Sequence, residues 1–234
     1  MSLPSFYIDG DVLAYLNHYL GANLADAMVK CSNLAYEDLC ATIAFSEDYK
    51  GNGAEAVGKR EALQVAATQR IKDLLNRTTP ATYDTEFYDI CRRIITDSTG
   101  ATTQPGSALN FGQAQKWVST TIKNLYVFVK SRDISAWPKV DRDMAGKIVE
   151  LLPFLHIPVD DVVLDILRDA KHCSIDPADC RYGMAADIPE TPWSSWDEQT
   201  YKAFRAKLNA KLFPGFTPRT IPLRWDLEHG STVE

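Results

Sequence analysis

"NFGQAQKWVSTTIKNLYVFVK", residues 110–130, decides how the chain is read. Val118, Ile122, Leu125 and Val129 fall at i, i+4, i+7 and i+11, one apolar stripe of an α-helix, and the spacing predicts a helix from Phe111 to about Lys130. Lys116, Lys123 and Lys130 recur every seven residues and form a second stripe roughly opposite the first. A solvated face is the ordinary fate of such a stripe. Lys116 is the exception, because it stands at the head of the helix, where the partial positive charge of the N-terminus makes a cation mildly unfavourable. Its presence there calls for a reason other than solvation.

The same helical periodicity extends outward on both sides. Asp11 can cap a segment running to Leu20, and further helices are predicted at about 35–46, 57–76 and 83–96. No run of four to eight residues alternates as a strand, so the fold class is all-α. Breaks fall at GNG (51–53), TTPAT (78–82), STGATTQPGS (98–107), AWP (136–138) and DIPETPWSSW (187–196). Downstream, "LHIPVDDVVLDILRD" (155–169) carries Pro158, which stops a helix from running through the residues before it. Asp160 then stands where an N-cap belongs, ahead of Val162, Val163, Ile166 and Leu167.

The 234 residues are enough for one sizeable core. They are read as a single helical unit, 1–234, with an N-terminal helical lobe (1–97), a central region (108–170) and a C-terminal segment (171–234). With 45% hydrophobic and 24% charged residues, and no apolar run of about 20, the chain matches a soluble globular protein rather than a membrane one. The start, MSLPSFYIDGD, lacks the regions of a signal peptide, so the expected location is cytoplasmic. Cys31, Cys40, Cys91, Cys173 and Cys180 are scattered without a CxxC pair and are expected to be reduced thiols. His172, Cys173 and Cys180 lack a fourth partner at zinc spacing, so no metal is expected.

Net charge is −6, which argues mildly against nucleic acid, but the charge is unevenly spread. Residues 1–58 hold eight acidic side chains against Lys30 and Lys50. Residues 111–147 hold seven basic ones (Lys116, Lys123, Lys130, Arg132, Lys139, Arg142, Lys147) against Asp133, Asp141 and Asp143. The local excess of positive charge surrounds the stretch quoted first.

"LNFGQAQKWVSTTIKNLYV", followed downstream by "IPVDDVV", resembles the helix-hairpin-helix DNA glycosylases, and in particular a divergent branch like the 8-oxoguanine DNA glycosylases. The resemblance implies a helical fold with two lobes flanking a cleft. Gly112 corresponds to a hairpin glycine, Lys116 to the nucleophilic lysine, and Asp160 in Ile157-Pro158-Val159-Asp160 to the catalytic aspartate. The usual paired hairpin glycines are reduced to Gly112. The 44 positions between Lys116 and Asp160 imply an inserted loop and helix over 131–154. No iron–sulfur cysteine cluster is present, so no cofactor is implied.

The partner implied is DNA carrying a damaged or modified base, with 8-oxoguanine as the first guess. Base excision breaks the bond between sugar C1′ and a base nitrogen after the nucleotide leaves the stack. The amine of Lys116 would attack C1′ to give a Schiff base, with strand cleavage by β-elimination as a possible sequel. A neutral amine is required, and a helix start beside Trp117 or Phe111 would disfavour positive charge. Asp160 would stay ionised and stabilise charge on the sugar. Backbone N–H groups of Gly112, Gln113 and Ala114 would hold a phosphate, with Lys123, Arg132 and Lys139 as further backbone contacts. Phe111, Trp117, Trp193 and Trp225 are the aromatic candidates for the base pocket.

Two other readings compete. "RWDLEH" (224–229) sets Arg224 and His229 at the spacing of the RNase motif of helical HEPN domains. A non-enzymatic helical interaction module would leave Asp160 as a cap alone. Within the glycosylase reading, repair and attack on modified foreign DNA would use the same lysine and aspartate.

Overall fold

Asn23 accepts a hydrogen bond from the Asp26 N–H at 2.8 Å and thereby starts the first helix, α1, Leu24–Cys40. The computed structural model describes residues 23–104, 106–135, 137–168, 184–213 and 222. Six more helices follow: α2 (Ala54–Arg77), α3 (Tyr83–Asp97), α4 (Phe111–Lys130), α5 (Lys139–Leu151), α6 (Asp161–Arg168) and α7 (Glu198–Leu212). Single 3₁₀ turns lie at Glu47–Tyr49, Leu152–Phe154, Ala185–Asp187 and Trp193–Ser195. The described residues form no strand, only an isolated bridge between Phe45 and Thr102, so the class is all-α.

Helix α4 is the centre. Its N-terminus is closed by a capping box in which Gln113 Oε1 accepts the Asn110 N–H at 3.0 Å. Helices α1, α3, α5 and α7 and the Trp193–Ser195 turn pack around it. The stripe Val118, Ile122, Leu125 and Val129 is buried as its spacing predicts. Along the second stripe exposure rises from one lysine to the next. Lys116 is buried, Lys123 is half-buried and Lys130 is exposed, because neighbours cover the first part of α4 on every side. Trp117 is also enclosed, its indole N–H donating to the Ser32 carbonyl at 3.0 Å and its ring 4.9 Å from that of Tyr36. Truncating an aromatic so enclosed costs about 3–5 kcal/mol.

Helices α2 and α3 begin and end within three residues of the predicted ranges, and α5 supplies the helix expected within 131–154. The helix expected at 35–46 is instead α1, Leu24–Cys40. Beyond Cys40 the backbone leaves the helix to pair with the 98–107 loop: Thr103 N–H donates to the Ala44 carbonyl at 2.8 Å and Ser46 N–H to that of Ala101 at 3.0 Å. Ile43 and Phe45 thus serve an extended segment, although Ile43 also continues the i, i+4 series of Ala35 and Leu39 on a helical face. The helix expected at 11–20 lies outside the described residues.

The side chains of all seven helices contribute to one buried cluster reaching from Leu24 to Phe213. Helix α7, capped by Asp197 at the Thr200 N–H (2.7 Å), is tied to α3 by the two-pronged Arg92–Glu198 pair at 2.8 and 2.9 Å. Among the described residues no helix is long and apolar enough to cross a membrane.

Candidate functional site

Helix α4 begins at Phe111, so Lys116 lies in its second turn, past the reach of the first-turn dipole effect expected from sequence. Its ammonium Nζ stands 2.7 Å from Asp38 Oδ2 and 3.4 Å from Asp160 Oδ2, and 5.1 Å from the centre of the Trp193 ring. Four residues distant in sequence thus meet at one atom. The lysine side chain is 8% exposed, Asp160 19% and Asp38 57%, so Asp38 is the solvent-facing member. The aromatic neighbour is Trp193, rather than the expected Trp117 or Phe111, and two negative charges face the amine instead of an apolar surface alone.

Asp160 does two jobs with two oxygens. Oδ1 accepts the Val163 N–H at 3.0 Å and caps α6, whose first backbone bond runs from Leu164 N–H to the Asp160 carbonyl at 2.9 Å. Oδ2 faces Lys116. The capping and catalytic readings of this residue are therefore compatible.

The segment carrying Asp160 is held on both sides. Gln115, buried on α4, donates from Nε2 to the Val159 carbonyl at 2.8 Å and to the Gly112 carbonyl at 2.9 Å, and Oε1 accepts the Val159 N–H at 3.3 Å. Upstream, His156 Nε2 meets Asp84 Oδ1 at 2.9 Å and Nδ1 meets the Tyr201 hydroxyl at 3.0 Å, while Arg205 reaches Asp84 Oδ2 at 2.9 Å. Burial, reinforced by the Arg205 charge, lowers the His156 pKa from 6.5 to about 3 against the opposing pull of Asp84, so the ring is neutral at pH 7. Burial acts to raise Asp84, but hydrogen bonds from His156 and Arg205 outweigh it and hold the carboxyl below its usual range. An ionised carboxylate only accepts, which places the ring proton on Nε2 and leaves Nδ1 to accept from Tyr201.

Gly112 is fixed by packing. A Cβ there would lie 1.8 Å from the Trp193 carbonyl oxygen, and the Gly112 N–H donates to the Trp196 carbonyl at 3.0 Å. The absence of a side chain lets the Trp193–Ser195 turn lie flat on α4, which brings the Trp193 ring to Lys116. This corrects the phosphate reading of Gly112, Gln113 and Ala114. All three are buried, Ala114 N–H closes onto the Asn110 carbonyl at 3.0 Å, and the Gln113 amide donates to the Thr42 carbonyl at 2.7 Å. The helix start is covered by protein and presents no open anion nest.

The remaining candidates are spread out. Phe111 is core, 5.4 Å from the Tyr201 ring and 6.1 Å from that of Tyr88. Together with Trp117 it is corrected from base pocket to packing. Lys123 lies further along α4, Arg132 sits 5.2 Å over the Phe128 ring, and Lys139 forms an exposed pair with Asp143 at 2.6 Å on α5. Trp225, Arg224, His229, His172, Cys173 and Cys180 lie outside the described residues. Cys31, Cys40 and Cys91 are free.

Asp38 is the residue that sequence reasoning missed. It appears there only as one of eight acids in an N-terminal arm, and no motif marks it. A polar residue on the α1 face that also buries Ala35 and Leu39 was the available signal, visible only once α1 is known to run from Leu24. No protein-family model matches the chain, nor does any curated protein or any solved structure.

Proposed function

We propose that the protein excises a damaged or modified base from DNA, by a helix-hairpin-helix glycosylase-like mechanism in which Lys116 is the nucleophile and Asp160 the stabilising carboxylate. The observation that supports this is the 3.4 Å approach of Lys116 Nζ to Asp160 Oδ2 across 44 residues of sequence. The two residues that the resemblance singles out share one site, which a chance likeness of two short motifs does not require. In this reading the amine attacks C1′, the ionised Asp160 offsets the positive charge developing on the sugar, and Trp193 offers a flat apolar face to the extruded base. An 8-oxoguanine-type purine is the first candidate. The two-lobed arrangement with the lysine between lobes belongs to the same proposal, as do phosphate contacts by Lys123, Arg132 and Lys139.

The test is borohydride trapping with duplex oligonucleotides, each carrying one oxidised, alkylated or otherwise modified base. A covalent complex should form with at least one of them and vanish in Lys116→Gln, with the circular dichroism of a folded helical protein retained. Failure of the wild type to trap any member, or trapping that survives Lys116→Gln, would count against the reading. The ribonuclease alternative instead predicts RNA cleavage lost on His229→Ala, and the interaction module predicts no covalent complex at all.

A further inference from the structure

Lys116 faces two carboxylates, and they are not equivalent. We infer that Asp38 is the general base of the reaction, taking the proton from Lys116, while Asp160 serves the sugar. This rests on the base-excision reading above and adds to it a residue outside both recognised motifs.

Three observations separate the two acids. A general base must lie within about 2.6–3.2 Å of the atom it deprotonates. Asp38 Oδ2 meets that condition at 2.7 Å, and Asp160 Oδ2 falls outside it at 3.4 Å. Asp160 is committed on its other side, since Oδ1 holds the Val163 N–H at the start of α6. Exposure also differs: a proton taken by Asp38, at 57% exposed, can be passed to solvent, whereas Asp160, at 19%, is largely enclosed.

One proton moves from the Lys116 ammonium to Asp38 Oδ2, leaving a neutral amine and a carboxylic acid. The nitrogen lone pair forms the Nζ–C1′ bond as the bond from C1′ to the base nitrogen breaks, its electron pair leaving with the base. The departing base takes up the proton held by Asp38, relayed through solvent, and Asp38 returns to its ionised form. On a sugar that has already lost its base, the same deprotonation precedes attack on the C1′ aldehyde. The demand on Asp38 is then independent of which base the enzyme recognises.

That independence sets the experiment. Duplex DNA with a single abasic site is trapped with borohydride by the wild type, Asp38→Asn, Asp38→Glu, Asp160→Asn and Lys116→Gln. Wild type should trap, and Asp38→Asn should trap at least about a hundredfold more slowly, the low end of general-base effects. Asp38→Glu should retain most of the rate. Added imidazole should restore Asp38→Asn in proportion to its concentration, because the lost carboxylate is open to solvent, and should do nothing for Asp160→Asn. Wild-type rates in Asp38→Asn, or a deficit that imidazole leaves untouched, would overturn the assignment while the lysine chemistry stands. If wild type forms no adduct even with the abasic duplex, the base-excision reading falls and Asp38's role falls with it.

Discussion

Gln115 and Val159 hold each other by two hydrogen bonds, from Gln115 Nε2 to the Val159 carbonyl at 2.8 Å and from the Val159 N–H to Gln115 Oε1 at 3.3 Å. One residue before Lys116 grips one residue before Asp160, so the two segments carrying the ion pair are locked in register next to it. Replacing Gln115 with Leu keeps the bulk but leaves the buried Val159 N–H and carbonyl unpaired. The expected loss is about 1–3 kcal/mol for each orphaned group, read from urea unfolding. The proposed base-excision activity should also fall, because Asp160 loses its fixed distance to the amine. A Gln115→Leu protein as active as wild type would show that this lock is dispensable.

Gly112 admits no side chain. With a Cβ placed 1.8 Å from the Trp193 carbonyl oxygen, Gly112→Ala must push the Trp193–Ser195 turn off α4. Overpacking of this kind costs about 1–3 kcal/mol or more, and the ring of Trp193 should move away from Lys116. Thermal unfolding measures the first effect. Tryptophan fluorescence, compared with Trp193→Phe in both backgrounds, measures the second.

The Lys116 ion pairs couple three elements, and their removal should be non-additive. Lys116→Met leaves Asp160 partly enclosed with no cation beside it, so it should destabilise the fold. Lys116→Met combined with Asp160→Asn should recover part of that loss, giving a coupling energy of about 0.5–3 kcal/mol. Strict additivity in a double-mutant cycle would mean that the 3.4 Å approach carries no net interaction energy.

Acid lability should start well above the carboxylate range. His156 has a folded-state pKa of about 3 against 6.5 for an exposed imidazole. Between these values the unfolded chain binds a proton that the folded protein refuses, so stability falls as pH drops from about 6.5 towards about 3. Asp84, whose pKa is lowered in the fold, contributes stability above its unfolded value of 3.8 and loses it as pH falls further. The two groups therefore act in the same direction in successive windows. Urea unfolding at a series of pH values should show the upper slope in wild type and lose it in His156→Asn, at a cost in overall stability.

Much of the helical framework was legible in the chain. The 3.6-residue stripe of Val118, Ile122, Leu125 and Val129, the Pro158 break and the cap at Asp160 are local features, set by backbone sterics and by which face is apolar. The end of α1 was not, because Ile43 continues the i, i+4 series of Ala35 and Leu39 and so fits a helix as well as an extended segment. What takes this stretch out of the helix is the pairing of Ala44 and Ser46 with Thr103 and Ala101, from a loop more than 50 residues away.

The sequence by itself determined an all-helical chain and nominated Lys116 and Asp160 as a pair. Tertiary structure decided what surrounds them. It set Asp38 against the amine, put Trp193 where Trp117 was expected, and turned Gly112 from an anion nest into the seat of a tight turn. None of these relations has a local cause. Each depends on which helices cover α4, and that is settled by burying one shared core rather than by any spacing within a single segment.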